Sequence, residues 1–354
     1  MNEPHPDRAT IPPVPEGVSR PLWSVMIPTY NCANYLRETL ASVLSQDPGA
    51  EVMQIQVVDD RSTQDDPAAV VEELGRGRVE FYQQPQNVGY IKNFATCLQR
   101  SRGHLIHLLH GDDCVMDGFY RKIQALFEQY PQIGAGFCRQ IIMDDWGHWQ
   151  RFIPLEQNQS GILNNWLERI ATELTLQTPA MVVRREVYEQ LGGFDCRMKS
   201  CGEDWEMWVR IAAQYSIAYE VEPLVLYRDR SNSITKRSIR TGQNIRDVRM
   251  ATEITRAYLP PHIAGELSRK AGSSWADWAF YIAGQMIDKG DVVAAIAQIR
   301  EGLLCSHNPA EIALAVWLML RASKKWLQQT VLEASLFKPK TKFAQEEIKC
   351  HDAN

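Results

Sequence analysis

The sequence predicts an α/β fold: a Rossmann-like, mainly parallel sheet flanked by helices, followed by an α-helical C-terminal extension. Three observations carry that prediction. Short apolar runs alternate with stretches of helical periodicity over residues 22–131, the pattern of βαβ units. Polar groups follow three of those runs: Pro28-Thr29-Tyr30-Asn31, Asp59-Asp60 and Gly111-Asp112-Asp113. Ligands gather at the carboxyl ends of strands in such sheets. From about residue 240 only helical stripes remain.

The elements follow in order. Leu22–Ile27 reads as the first strand, and Leu36, Leu40, Val43 and Leu44 mark a helix. Gln54–Val58 is a second strand, and Pro67–Leu74 a short helix with proline in its first turn. Arg78–Tyr82 is a third strand. Tyr90–Gln99 sets Ile91, Phe94, Ala95 and Leu98 on one helical face. His104–Leu109 is a fourth strand, and the helix through Phe119, Ile123, Leu126 and Phe127 stops at Pro131. Ile133–Met143 and Leu174–Val183 read as strands, with a long loop over Asp144–Gly161. Gly192-Gly193 ends a helix, and another begins near Asp204. Lys289-Gly290-Asp291 separates a stripe through Trp275, Trp278 and Ile282 from one through Val293, Ile296 and Ile299. That pair is similar to one tetratricopeptide hairpin, without an array. The expected organisation is a disordered tail over 1–20, an α/β domain over 21–238 and a helical domain over 239–354.

With 354 residues, the chain can bury a sizeable core. Apolar residues make up 45% and charged ones 23%, as in ordinary soluble proteins. The formal charge of −5 gives no electrostatic case for nucleic acid. Eight cysteines without a CxxC pair read as reduced thiols in a cytosolic setting, with no zinc site. Residues 1–20 are polar and carry Pro4, Pro6, Pro12, Pro13 and Pro15, hence the disordered reading and no signal peptide. No apolar run reaches the ~18–20 residues that span a bilayer. Ile312–Leu320 is apolar and is followed by Arg321, Lys324, Lys325, Lys338, Lys340 and Lys342. It reads either as a core helix with a solvated basic end or as a segment lying on anionic lipid.

Four groups bear chemistry. Asp59-Asp60 either meets a nucleoside or ends its strand in an Asx turn. Asp112-Asp113 is stronger: adjacent acids after an apolar strand repel unless a cation joins them, and Mg²⁺ or Mn²⁺ suits carboxylate and phosphate oxygens. Glu203 and Asp204 precede a helical apolar face, so either is a general base or a first-turn acid capping the helix. His104 and His110 point to one face of their strand and His107 to the other. Such histidines are usually satisfied core or edge residues, and His110 stands out because it adjoins Asp112.

Taken in order, these motifs resemble the family 2 glycosyltransferases of GT-A fold over residues 21–235. Ser24-Val-Met-Ile-Pro-Thr-Tyr-Asn31 looks like the opening strand and nucleotide loop, and Tyr35-Leu36 with Ser42–Gln46 like the helix after it. Val57–Thr63 looks like the second nucleotide motif, and Asn87-Val88-Gly89 with Asn93 like the segment after the third strand. Gly192–Asp195, Glu203-Asp204 and Trp208-Val209-Arg210 look like the acceptor-side motif, and Tyr227-Arg228 with Ser231 and Ser233 like the closing strand.

The resemblance implies an inverting transfer from a nucleoside-diphosphate sugar, a UDP-sugar favoured, to a glycan or lipid-linked acceptor. Thr29 and Asp59 would contact the nucleoside, with Pro28 and Tyr30 shaping the pocket and Asn93 on the donor side. Asp112 and Asp113 would bind Mn²⁺ or Mg²⁺, and Arg228 would reach the diphosphate. Asp204 would be the catalytic base, with Glu203 beside it. The family's metal motif is commonly acid–any–acid, and here His110 stands in the first acid's place. Thr178-Pro179-Ala180-Met181 is less polar than the family pattern and would shape acceptor choice. Bacterial surface polysaccharide synthesis is the implied setting, in the cytoplasm or peripheral on the membrane's inner face. The alternative is a degenerate protein that holds a nucleotide sugar without reacting. A nucleotidyltransferase or pyrophosphatase needs a phosphate-gripping Gly/Lys loop that Pro28–Asn31 does not offer.

Overall fold

Trp23–Thr29 (β1) is buried along its whole length, as a strand covered on both faces must be. After it come α1 (Ala33–Leu44), β2 (Met53–Asp59), α2 (Pro67–Gly75), β3 (Glu80–Gln83), α3 (Tyr90–Arg100), β4 (Leu105–Leu108), β5 (Cys114–Val115) and α4 (Phe119–Gln129). The next stretch holds β6 (Ile133–Met143), β7 (Trp149–Phe152), β8 (Gly161–Ile162), α5 (Trp166–Ile170), β9 (Met181–Arg184), α6 (Arg185–Leu191), α7 (Glu203–Ala212) and β10 (Ser216–Arg228). Helices α8 (Ile234–Ile239), α9 (Gln243–Thr255), α10 (Pro261–Lys289), α11 (Val292–Cys305) and α12 (Pro309–Leu336) complete the chain. This computed structural model describes residues 5–336, with side chains described to residue 330.

The sheet runs β3-β2-β1-β4-β9-β6-β10-β5. It is parallel across β3-β2-β1-β4 and again between β6 and β10. β9 and β5 run antiparallel to their neighbours, as do the short β7 and β8. Register sets the site: Thr29 lies opposite Asp59, and Met26 opposite Leu108. Three strands therefore finish side by side, and the loops after them share one edge. Alternate side chains of β1 enter separate cores, Met26 on one face and Val25 and Ile27 on the other.

Two expected elements changed. Of the strand anticipated over Leu174–Val183, only Met181–Arg184 forms, because Thr178–Ala180 makes a tight turn. Pro179 lacks the N–H that a strand would use there. The long loop expected over 144–161 contains β7, an edge strand paired to β6. All four of its side chains are exposed, so no alternation marks it in the sequence.

Residues 7–11, inside the tail expected to be disordered, pack against the domain. Ile11 is buried, and Asp7 and Ala9 carbonyls accept the N–H groups of Cys196 and Gly193. Arg8 contacts Asp195, Glu206 and Tyr258. At the other end, α10, α11 and α12 share a cluster that includes Phe280, Ile287, Ile299 and Leu318. The first half of α10 joins the sheet's own core through Ala264, Leu267 and Ala271, and Trp275 packs on Trp205 at 5.0 Å. The expected boundary at 238/239 falls inside α8. No described helix is long and apolar enough to cross a membrane. Cys350, Lys338, Lys340 and Lys342 lie outside the described residues; the described cysteines are free thiols.

Candidate active site

The first loop is held against the fourth strand's end. Thr29 Oγ1 lies 2.8 Å from Cys32 Sγ, which faces the Gly111 carbonyl at 3.7 Å. A Cβ on Gly111 would stand 3.1 Å from the Thr29 side chain, a tight fit that would push Thr29 or Cys32 by a few tenths of an ångström. Pro28 is buried and its carbonyl accepts the Gly111 N–H, while Tyr30 is exposed at the rim. Asn31, at a positive φ of 49°, accepts the N–H groups of Thr63 and Gln64 through Oδ1.

Asp59 turns its carboxylate back onto the chain three residues ahead. It accepts Ser62 N–H and Oγ–H at 3.0 and 2.5 Å, and Gln83 Nε2–H at 2.9 Å. Asp60 accepts Val88 and Gly89 N–H at 2.7 and 3.0 Å, which fixes the entry to α3. Asn93 does not face the site. It is buried, donates to the Val58 carbonyl at 2.9 Å and accepts from Gln84, so it ties β2 to α3.

The candidate metal centre follows β4. Ligating atoms of His110, Asp112 and Asp113 lie within 4.8 Å of one another. Asp113 is buried; its Oδ1 accepts Arg228 N–H at 2.7 Å, and its Oδ2 lies 3.4 Å from His110 Nδ1. Neither Asp113 Oδ2 nor His110 Nε2 has a well-aligned hydrogen-bond partner, although both are buried. Burial, with the Asp112 charge, pushes Asp113 up to about 6. Burial opposes charge on His110, yet Asp113, Asp112 and Asp204 outweigh it and raise the imidazole above its usual value. The ring stacks on Phe94 at 5.3 Å. His107, by contrast, is a satisfied core residue between Tyr120 and the Pro179 carbonyl, and burial pushes it down to about 4. His104 is exposed, away from the cluster.

Arg228 is a correction. Its side chain is buried and its guanidinium donates to the carbonyls of Asp112, Asp144 and Asp145 and, at 2.6 Å, to Glu38. Four of its five N–H groups are used in this way, which locks the site's walls together. Arg230, two residues on, is the arginine that faces the cluster, 3.1 Å from Asp112. Both guanidiniums sit over the Tyr35 ring.

The acceptor-side acids start α7. Gly202 is the N-cap, at φ 89°, and no side chain caps the helix. Glu203 accepts from Tyr90 Oη–H at 3.1 Å, and Asp204 Oδ1 accepts the Trp205 N–H at 2.7 Å. Burial, then the Asp204 charge, pushes Glu203 up to about 8. Burial raises Asp204 as well, opposed by the Trp205 N–H, the His110 charge and a hydrogen bond from Thr178. Thr178 thus brings the Thr178–Met181 stretch to the acids.

The predicted groups meet. Asp60 holds Gly89, the next residue is Tyr90, and Tyr90 reaches Glu203. From the other side, Asp113 contacts His110, whose ring feels the Asp204 charge. Asp60, the Asp112 cluster and the Glu203–Asp204 pair are linked through these contacts, while Asn93 and Arg228 turn their side chains to buried carbonyls. Sequence reasoning missed Arg230, Tyr90 and Cys32. Nothing in the sequence marked Arg230 over Arg228, because β10 ends at Arg228, and nothing marked Cys32.

A parallel sheet whose loop edge gathers paired acids is the GT-A arrangement, and solved structures of that fold match the chain. Staphylococcus aureus TarS 1–349 in complex with UDP-GlcNAc aligns at a TM-score of 0.60 and 15% identity, covering 89% of this chain and 91% of that one. Mannosyltransferase PcManGT from Pyrobaculum calidifontis, in complex with GDP-Man and Mn²⁺, aligns at 0.54 and 18% identity, covering 89% of each. The family model "Glycosyl transferase family 2" matches residues 24–192, and that stretch of the chain is similar to family 2 glycosyltransferases. Among sequences, the uncharacterised protein MT1568 of Mycobacterium tuberculosis is 28% identical over 240 residues, 65% of this chain and 74% of that protein. The O-antigen biosynthesis protein RfbC of Myxococcus xanthus is 27% identical over 212 residues, 55% of this chain but 16% of that protein.

Proposed function

We propose that the chain is a metal-dependent, inverting transferase. It moves a sugar from a nucleoside diphosphate, a UDP-sugar favoured, to a hydroxyl of a glycan or lipid-linked acceptor. Its setting is bacterial surface polysaccharide or glycoconjugate synthesis, in the cytoplasm or on the inner face of the membrane. Residues 21–238 carry the chemistry, and the helices described from 239 to 336 form the extension. One observation carries the reading: the cation-type cluster of His110, Asp112 and Asp113 adjoins the pair of buried Glu203 and half-buried Asp204 closely enough for Asp204 to raise His110. TarS bound to UDP-GlcNAc and PcManGT bound to GDP-Man and Mn²⁺ support the donor class and the metal.

The residues fit a divalent cation. Two buried atoms, Asp113 Oδ2 and His110 Nε2, lack aligned partners, and one imidazole with two carboxylates suits Mn²⁺ better than Mg²⁺. His110, Asp112 and Asp113 would hold the ion, which when bound neutralises charge on the departing diphosphate. Arg230 adds a second positive group beside Asp112. Thr29, Tyr30 and Asp59 border the nucleoside side. Asp204 takes the proton from the acceptor hydroxyl as its oxygen bonds to the anomeric carbon. The diphosphate leaves from the opposite face with the bonding pair, so the configuration inverts. Glu203, held largely protonated at neutral pH, serves as a hydrogen-bonding neighbour.

A thermal-shift screen of nucleotide sugars with and without Mn²⁺ tests this, because a ligand that prefers the folded state raises Tm. The expected result is a shift with a uridine diphosphate sugar that depends on Mn²⁺. No shift with any nucleotide sugar under either condition refutes it. Binding without any product or hydrolysis points to the degenerate-binder alternative.

A further inference from the structure

Helix α12 is apolar on two sides. One side packs Ala315, Leu318 and Ala322 against α10 and α11. The opposite side presents Ile312, Val316, Leu320 and Leu327, spaced by four, four and seven residues, so they fall on one stripe. These stay exposed, Leu320 at 66% and Val316 at 55%, and Trp317 and Trp326 beside them are half exposed. An all-round apolar helix belongs in an interior, and a contiguous apolar patch marks a contact.

Charge identifies the partner. From Ile312 to Thr330 the helix carries Arg321, Lys324 and Lys325 and no acid. The preceding acid, Glu311, is buried and bonded to Ser273. Asp288 of α10 is paired with Arg321. The surface continues past α12: Trp326 and Val293 line one hollow with Lys289, Arg240 and Asp291, and Asp291 is paired to Arg240. Bases thus border an apolar, tryptophan-bearing face. A two-fold contact between copies of this chain would set those bases near one another, whereas an anionic bilayer accepts both the apolar face and the bases.

We propose that the outer face of α12 docks on an anionic lipid surface, with the helix lying in the plane of the interface. Ile312, Val316, Leu320 and Leu327 enter the acyl boundary, while Lys324, Lys325 and Lys289 meet headgroup phosphates. This deepens the peripheral-membrane part of the functional reading, and it is measured without donor, acceptor or metal, so it stands or falls independently of the transfer chemistry.

The test is flotation of the full chain with vesicles containing phosphatidylglycerol and with vesicles of phosphatidylcholine alone. The wild type floats with the anionic vesicles and binds the neutral ones at least about tenfold more weakly. Val316→Glu/Leu320→Glu abolishes flotation with its Tm unchanged, since both side chains lie outside the core. Lys324→Glu/Lys325→Glu weakens anionic binding by roughly fivefold or more per site, and it decides the matter should the first pair fold poorly. Failure of the wild type to float with anionic vesicles overturns the proposal. So does equal flotation of the wild type and both double variants. A wild-type dimer by light scattering that Val316→Glu/Leu320→Glu converts to monomer, without vesicle binding by either, assigns the face to a second copy instead.

Discussion

Replacing Glu203 and Asp204 one at a time asks which of two adjacent acids takes the acceptor's proton. Burial and the Asp204 charge push Glu203 up to about 8. At pH 7 the protonated form of Glu203 is therefore favoured. Glutamine copies the shape and neutrality of that dominant form and keeps a partner for Tyr90. Glu203→Gln is therefore expected to lower kcat by less than about tenfold, whereas Asp204→Asn removes the base and is expected to cost ~10²–10⁴. The assay is release of nucleoside diphosphate, coupled to a spectrophotometric readout, across pH 6–9. Wild-type kcat/KM should change slope near pH 8, where Glu203 ionises beside Asp204, and Glu203→Gln should lose that inflection. Stability provides a second readout with a definite sign. An unfolded glutamate titrates near ~4.3, so between there and about 8 the folded chain holds a proton that the unfolded chain has released. Stability then falls as pH rises through that window, and Glu203→Gln flattens the fall. Equal losses from the two variants, or full activity in Asp204→Asn, refutes the assignment.

Asp112→Ala should weaken donor binding in the presence of Mn²⁺ and leave the metal-free titration unchanged; identical calorimetric titrations of variant and wild type with Mn²⁺ count against the site. Arg228→Met strips partners from Glu38 and from the carbonyls of Asp112, Asp144 and Asp145. It is expected to lose about 3 kcal/mol in denaturant melts, while Arg230→Met keeps wild-type stability and binds donor less tightly; the reverse pattern contradicts the two roles. Ile11→Ala opens a cavity under the N-terminal segment and should cost ~2–4 kcal/mol. An unchanged melt would mean that the segment contributes nothing to the core.

Legibility differed by residue. The buried strands β1 and β2 read directly, because a strand covered on both faces is a continuous apolar run. β7 did not, because an exposed edge strand carries no alternation and is held by pairing to β6. Asp112, Asp113, Glu203 and Asp204 stood out as acids at element boundaries, and the structure brings them to one edge. Asn93 and Arg228 were assigned to the donor because motif position names a residue but not the direction of its side chain. Both point inward, where amide and guanidinium satisfy buried carbonyls. The N-terminal segment looked disordered from its prolines, yet Ile11 and Arg8 find partners contributed by α3, α6 and α7.

By itself the sequence determined the α/β class, the order of most elements and the acids that crowd the loop edge, since periodicity and strand-end polarity are local properties. Only the tertiary structure decided which arginine faces the cluster, which of two neighbouring acids is buried, and which side of α12 is left uncovered. Those depend on partners distant in the chain, because burial and charge are set by what packs around a group rather than by what precedes it.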